Sequence, residues 1–365
     1  MLRRSPRRPE SPNKKSCVTV MDLAIRCANL KTDAPLIVEF LAKNHTADST
    51  AQRFEWLYLH GPAGPARVWI CQEPGSFAPG GIAAAFPRWV CASGRRQVGW
   101  VLGDFCLLPR YRSLGPAVKL QKACLAGLYS HTNPIIYDFP SASMAAIYER
   151  LGIKAHQRVV RLAKLVRVDS RAQRWIRPPR LARALSSVVN RGLAIQNHVP
   201  KIPPRDDSAT SLHAGACEYE FTHLAKHVGA TLGICLERSA EYLNWRYRQH
   251  PYRRYEIVTS RQHGLLAAYG VVSQKGPHLH LVDFFGGQGA IRRLLQGIVA
   301  IAMERKLETV TVGVLAAHPW TKIFLNAGFR QREESPAVTL CPAGRAMPPP
   351  DHDNGWFLTE GDRES

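Results

Sequence analysis

The apolar positions fall into short runs separated by Gly-, Pro- and Asn/Asp-containing breaks. Residues 67–72 (RVWICQ), 80–93 (GGIAAAFPRWVCAS) and 97–108 (QVGWVLGDFCLL) are rich in Val, Ile and aromatic side chains and predict three successive strands. Ahead of them, residues 21–44 read as strand, turn and helix, with Thr32 or Asp33 as the helix cap. After them come a helix over 116–129, a strand within 134–140, a helix over 141–152 and a strand within 156–167. Helices between strands predict an α/β layer, an α+β mixed sheet, with ligands held near strand ends.

The same order then recurs. Laying FEWLYLHGPAGPARVWI over YLNWRYRQHPYRRYEIV brings Trp56 onto Trp245. Laying VGWVLGDFCLL over PHLHLVDFFGG brings Asp104 onto Asp283 and Phe105 onto Phe284. A third overlay brings Tyr148 onto Phe324 and Gly152 onto Gly328. Three matches in one order predict duplicated domains. The boundaries read as a basic tail (1–20), a first domain (21–168), a basic, Pro-rich linker with a short helix (169–214), a second domain (215–345) and a C-terminal tail (346–365). A chain of 365 residues suits two such domains. The tail holds Trp356 and Phe357, which predicts that it docks on the body, with acidic groups to meet an amine.

Charge adds a preference for anions. Forty-nine Lys and Arg against 28 Asp and Glu give +21, which draws nucleotides, nucleic acid or acidic lipid without choosing among them. Nine basic residues recur about every third position from Arg158 to Arg183, opposed by Asp169. That segment, 158–183, is either a solvated strand and linker or a patch for an anionic surface or nucleic acid. The nine Cys form no Cys-x-x-Cys pair and read as reduced packing residues, so a cytoplasmic location is expected. No run reaches transmembrane length. His278 and His280 alternate near Asp283, but no third ligand is evident and no metal is expected.

The candidate chemistry lies in LGDFCLLPRYRSLGPAVKL, residues 102–120. A strand-like run ends in a turn and a helix begins. Arg110 and Arg112 offer charge to phosphate oxygens, Gly115 allows close backbone approach, and Pro116 suits a first helical turn. Unpaired N–H groups at the helix start favour an anion. The turn is either a pyrophosphate cradle or a plain strand-to-helix connection; it is neither a Gly-x-Gly-x-x-Gly fingerprint nor a P-loop.

These residues resemble GNAT-superfamily N-acetyltransferases. Arg112-Ser113-Leu114-Gly115-Pro116-Ala117 matches the family's Arg/Gln-x-x-Gly-x-Gly/Ala motif, and Tyr148-Glu149-Arg150-Leu151-Gly152-Ile153 matches its Tyr-x-x-x-Gly-Phe ending with Ile for Phe. The resemblance covers about 21–168 and 215–345 and implies two GNAT-like acyl-CoA N-acyltransferase domains in tandem, the second degenerate at the CoA motif. It implies acetyl-CoA as co-substrate, held by 110–117 and backbone N–H groups near Leu107 and Leu108, with a small-molecule or sugar amine as acceptor. Tyr148 would protonate the leaving thiolate. Asp104, the carboxylate nearest the motif, is either the group that binds or deprotonates the amine or a structural residue, since Asp283 is its counterpart. Two other functions fit the same sequence: aminoacyl transfer from aminoacyl-tRNA, or a non-catalytic basic binding module.

Overall fold

The structure is a computed structural model. It describes residues 23–92, 94–129, 135–153, 157–169, 173, 176–197, 209–340 and 355–364. The basic tail and Trp175 lie outside the described residues. The first half contributes β1 (Ala24–Cys27), β2 (Arg67–Gln72), β3 (Gly81–Ala92), β4 (Arg95–Leu107), β5 (Ile135–Asp138) and β6 (Gln157–Leu165). The second contributes β7 (Thr210–His213), β8 (Ile234–Leu236), β9 (Glu256–Gln262), β10 (Leu265–Lys275), β11 (His278–Gly286), β12 (Thr309–Leu315) and β13 (Arg330–Leu340), and the C-terminal segment adds β14 (Trp356–Phe357).

All these strands belong to one mixed sheet, with the order β1-β2-β3-β4-β5-β13-β6-β12-β11-β10-β9-β7; β8 pairs with both β3 and β14 off this path. The order is symmetric about its centre. Each half sends its last strand across: β13 lies between β5 and β6, and β6 lies between β13 and β12. The two halves of the chain are therefore interlocked, because each completes its sheet with a strand of the other. Arg158 and Arg161 on β6 pair with Glu334 and Glu333 on β13 (3.0 Å each), so part of the basic run is matched by cross-strand carboxylates on an exposed face of the sheet.

Four helices of the first half position the site: α1 (Ala34–Asn44), α2 (Ala51–Phe54), α3 (Leu114–Tyr129) and α4 (Ala142–Arg150). Asp33 stands at the N-cap of α1, but its carboxylate takes Arg26 (2.7 and 2.9 Å) and the Asn29 N–H rather than a helix amide. One core layer packs α3 and α4 on the sheet through Leu120, Cys124, Leu128, Met144 and Ile147. The opposite layer runs through both halves. Its centre is Trp56 stacked on Trp245 at 4.9 Å, each indole N–H donating to the other's carbonyl (2.9 and 3.0 Å). Both sit in matching wide helical turns, Glu55–Leu59 and Asn244–Arg248, as the overlay of the two segments predicts.

The C-terminal segment docks as expected from its aromatics. Trp356, Phe357 and Leu358 are buried, and β14 runs parallel to β8. Asp362 and Thr359 close a capping box on the short turn Glu360–Asp362. Gly361 lies so close to Tyr247 and Asp283 that a methyl group there would overlap the tyrosine hydroxyl. Gly361→Ala is thus expected to destabilise the protein by about 1–3 kcal/mol through overpacking. Urea denaturation should show it as a lower midpoint in one transition spanning both halves; an unchanged midpoint would show that the segment is not docked.

Candidate functional site

The site is built where β4 bends. Ile82 pairs with Cys106 and Ala84 with Gly103, so Asp104 and Phe105 stand opposite Ala83 alone. Asp104 takes φ +46°, a left-handed conformation that Asp tolerates better than most residues. The bulge turns its carboxylate into the protein, where Arg53 from α2 grips it with two bonds (2.7 and 2.9 Å) and Tyr58 donates a third (2.5 Å). Burial alone would raise its pKa. Arg53, His45 and Tyr58 outweigh burial and hold the carboxyl well below the usual range. The carboxylate is saturated and weakly basic, which suits the structural alternative better than proton acceptance. His45, just past α1, brings Nε2 within 3.5 Å of Asp104 and keeps a 37% exposed side chain.

His45 also lines a cavity of about 560 Å³. Its walls are Phe105, Cys106 and Leu107 at the end of β4, Arg112, Ser113, Leu114 and Ala117 at the turn and start of α3, and Ser143, Met144 and Ile147 on α4. The motif turn therefore opens onto a largely apolar chamber. Helix α3 begins at Leu114, two residues earlier than the apolar pattern indicated, so Gly115 and Pro116 sit in its first turn. A methyl group at Gly115 would meet nothing within 4 Å.

Other motif residues lie differently from the sequence expectation. The Leu108 N–H donates to Gly80 (2.9 Å) and is engaged in the sheet. Arg112 folds back to bond the Leu107 carbonyl (2.9 Å), so it braces the turn. Arg110 points towards Glu73 (3.7 Å) and stacks on Tyr111 (4.8 Å), outside the cavity lining. These two Arg residues are not both aimed at one anion.

Tyr148 is fully buried, and its hydroxyl donates to Asp138 at the end of β5 (2.6 Å). Burial, then Asp138, pushes its pKa well up. It is not among the cavity-lining side chains, so direct proton donation into the cavity does not follow from this arrangement. Burial also raises Asp138, to about 7. Glu364 lies against Gly103 on β4, and burial raises its pKa too. His45, which lines the cavity, and Asp138 and Glu364, which contact Tyr148 and Gly103, were not singled out by sequence reasoning. The signal available for Glu364 was the acidic end of an aromatic tail; His45 and Asp138 carried none.

In the second half, Asp283 repeats the Asp104 arrangement. It follows a register shift between Val271 and Val272, bonds Arg238 (3.1 Å) and accepts from Tyr247 (3.1 Å). Here the C-terminal segment completes the cluster, Asp362 bonding Arg238 (2.8 Å) and Thr359 donating to Asp283 (2.9 Å). His278 and His280 bond Thr309 and Thr311 of the adjacent strand (2.7 Å each). Among the described residues no group of three His, Cys, Asp or Glu is placed to hold a metal ion. His318, just before a helix, meets Trp320 edge-to-face and Phe357 at a tilt (5.1 Å each), and burial lowers its pKa to about 4.

No protein-family model and no curated protein sequence matches the chain. Solved structures do match its fold. A probable N-acyltransferase of unknown function from Enterococcus faecalis aligns with TM-score 0.59 and 12% identity over 87% of this chain and 72% of that one. A GCN5-related N-acetyltransferase from Anabaena variabilis aligns at 0.61 and 12% over the same shares. Saccharomyces cerevisiae N-myristoyltransferase with bound myristoyl-CoA aligns at 0.53 and 9% over 92% of this chain and 83% of that one. The chain has the GNAT fold, as the sequence motifs predict.

Asp138 gives a pH test of this site. Its carboxyl holds its proton to about pH 7 in the native state but only to about 3.9 when unfolded. The native state thus binds more protons in that window, and this group's contribution falls as pH rises, by roughly 4 kcal/mol in full. Asp138→Asn mimics the protonated form. Its stability relative to the parent is expected to climb from pH 4 to 7 in urea titrations, and a flat difference would refute the raised pKa.

Proposed function

We propose that this protein is an acyl-CoA-dependent N-acyltransferase, with acetyl-CoA bound in the first half and a small-molecule amine as acceptor. The observation that carries this reading is the cavity at the end of β4, walled by the motif turn, the start of α3 and the side of α4. The pyrophosphate would lie against the first turn of α3, where Gly115 leaves open space and backbone N–H groups and the helix dipole favour negative charge. The pantetheine arm would follow the apolar wall formed by Phe105, Leu107, Met144 and Ile147.

His45 is the proton acceptor in this reading. Asp104 faces Nε2 and favours the tautomer with the proton there, leaving Nδ1 to take the proton of the attacking amine. The amine nitrogen bonds to the thioester carbon, the C–S bond breaks, and CoA leaves as thiolate. The second half and the C-terminal segment hold β4 and β5 in place from behind. The fold neighbours, an N-acetyltransferase and an N-myristoyltransferase among them, support acyl transfer as the reaction class.

Calorimetric titration with acetyl-CoA should show one site per chain. Gly115→Glu, whose side chain enters open space beside the helix start, is expected to keep the parent melting temperature and lose at least about tenfold in affinity. Absence of binding by the parent chain would defeat the proposal. With an acceptor found in an amine screen, His45→Gln should lower kcat by about 10²–10⁴-fold at near-unchanged acyl-CoA affinity. Equal kcat in this variant would remove His45 from the reaction.

A further inference from the structure

The helix Pro179–Asn197 is turned inside out for a water-soluble surface. Its small and polar side faces the body: Ala182 and Ser186 are buried, and Asn190 accepts from the Val168 N–H and donates to Asp169 (2.9 Å each). Its large apolar residues face solvent, with Leu181, Leu185, Val188 and Ile195 exposed at 49%, 45%, 67% and 77%. With one turn every 3.6 residues, these four fall within an arc of about 80°. Such a stripe gains free energy only when something apolar covers it.

The charge around the stripe says what covers it. Every ionised side chain on the helix is an Arg: Arg180, Arg183 and Arg191. Beside it lies an open cleft of about 340 Å³ lined by Arg167, Arg183, Ser187 and Arg191. The acidic group in that lining, Asp169, is taken by Arg167 (2.7 Å) and Asn190. Arg183 and Arg191 have no carboxylate partner among the described residues. Nucleic acid would match the Arg residues and leave the stripe in water. A second copy of this chain would bring equal positive charge to the same place. An anionic phospholipid surface satisfies both features, its acyl region taking the stripe and its phosphates the cleft.

We infer that the helix Pro179–Asn197 docks the protein on membranes rich in anionic phospholipid, lying in the plane of the interface. This differs from the patch at 158–183 suggested by charge alone: the β6 arginines Arg158 and Arg161 are paired within the sheet, and the lipid-facing element is the helix that follows. No helix among the described residues is long and apolar enough to cross a membrane. The inference stands independently of the acyl-transfer reading.

Sedimentation of the full chain with phosphatidylcholine vesicles, with and without phosphatidylglycerol, tests it at near-physiological salt. The parent should sediment with the anionic vesicles. Val188→Glu/Ile195→Glu, with a melting curve like the parent's, should weaken partitioning by at least about tenfold. Arg183→Gln/Arg191→Gln should also weaken it about tenfold or more. No sedimentation of the parent would overturn the inference, as would parent-like binding by the stripe variant. Analytical ultracentrifugation supplies a further overturning result: a parent dimer that the stripe variant dissociates.

Discussion

Each half of this protein leaves a gap in its own sheet that only the other half's last strand can fill. β13 separates β5 from β6, and β6 separates β13 from β12, so backbone pairing in one half requires the other to be in place. The remaining inter-half contacts follow from this exchange. It brings the two wide turns together, where Trp56 and Trp245 stack and trade N–H···O bonds. It also flanks β5, which bears Asp138, with a strand from the distant half. The frame around the cavity is therefore set by the whole chain, although every cavity-lining residue belongs to the first half.

The two buried Arg–Asp–Tyr clusters show how one architecture yields unlike sites. Both hold a strand bend beside an aspartate, and both place that charge where an unpaired carboxylate would be costly. Around Asp104 the fourth member of the cluster is His45, partly exposed and open to a cavity. Around Asp283 the additional partners are Thr359 and Asp362 of the C-terminal segment. What is an entrance in one half is plugged in the other. The plug also reaches the first half, because its last described residue, Glu364, rests on Gly103 beside Asp104.

Periodicity exposed the strands and helices, and the repeat was visible because Trp56/Trp245 and Asp104/Asp283 make matching contacts in the two halves. Gly152 and Gly328 likewise share a positive φ, at 75° and 87°, after equivalent helices. The motif turn was legible as local sequence. The strand exchange was not, because a strand's pattern of apolar positions reports burial and not the identity of its neighbour. The surroundings of Asp104 and Tyr148 were hidden for a related reason. Their partners, Arg53 and Asp138, are distant or unremarkable in sequence, and only the fold reveals that both side chains are already engaged. His45 gave no signal, being a single histidine after a helix whose neighbour is set by a bulge nearly sixty positions on.

The exchange of final strands also fixes a calendar for biosynthesis. β5 emerges from the ribosome about two hundred residues before β13, the strand that must cover its edge. At ordinary elongation speeds that interval is roughly 10–40 s. Throughout it the nascent first half carries an open, apolar sheet edge of the kind that recruits stray strands. Later still, Thr359 and Asp362 complete the buried cluster around Arg238. For this chain, the first half cannot close its sheet until a strand about two hundred residues downstream has been made, so protection of that edge is needed during synthesis and not only after it.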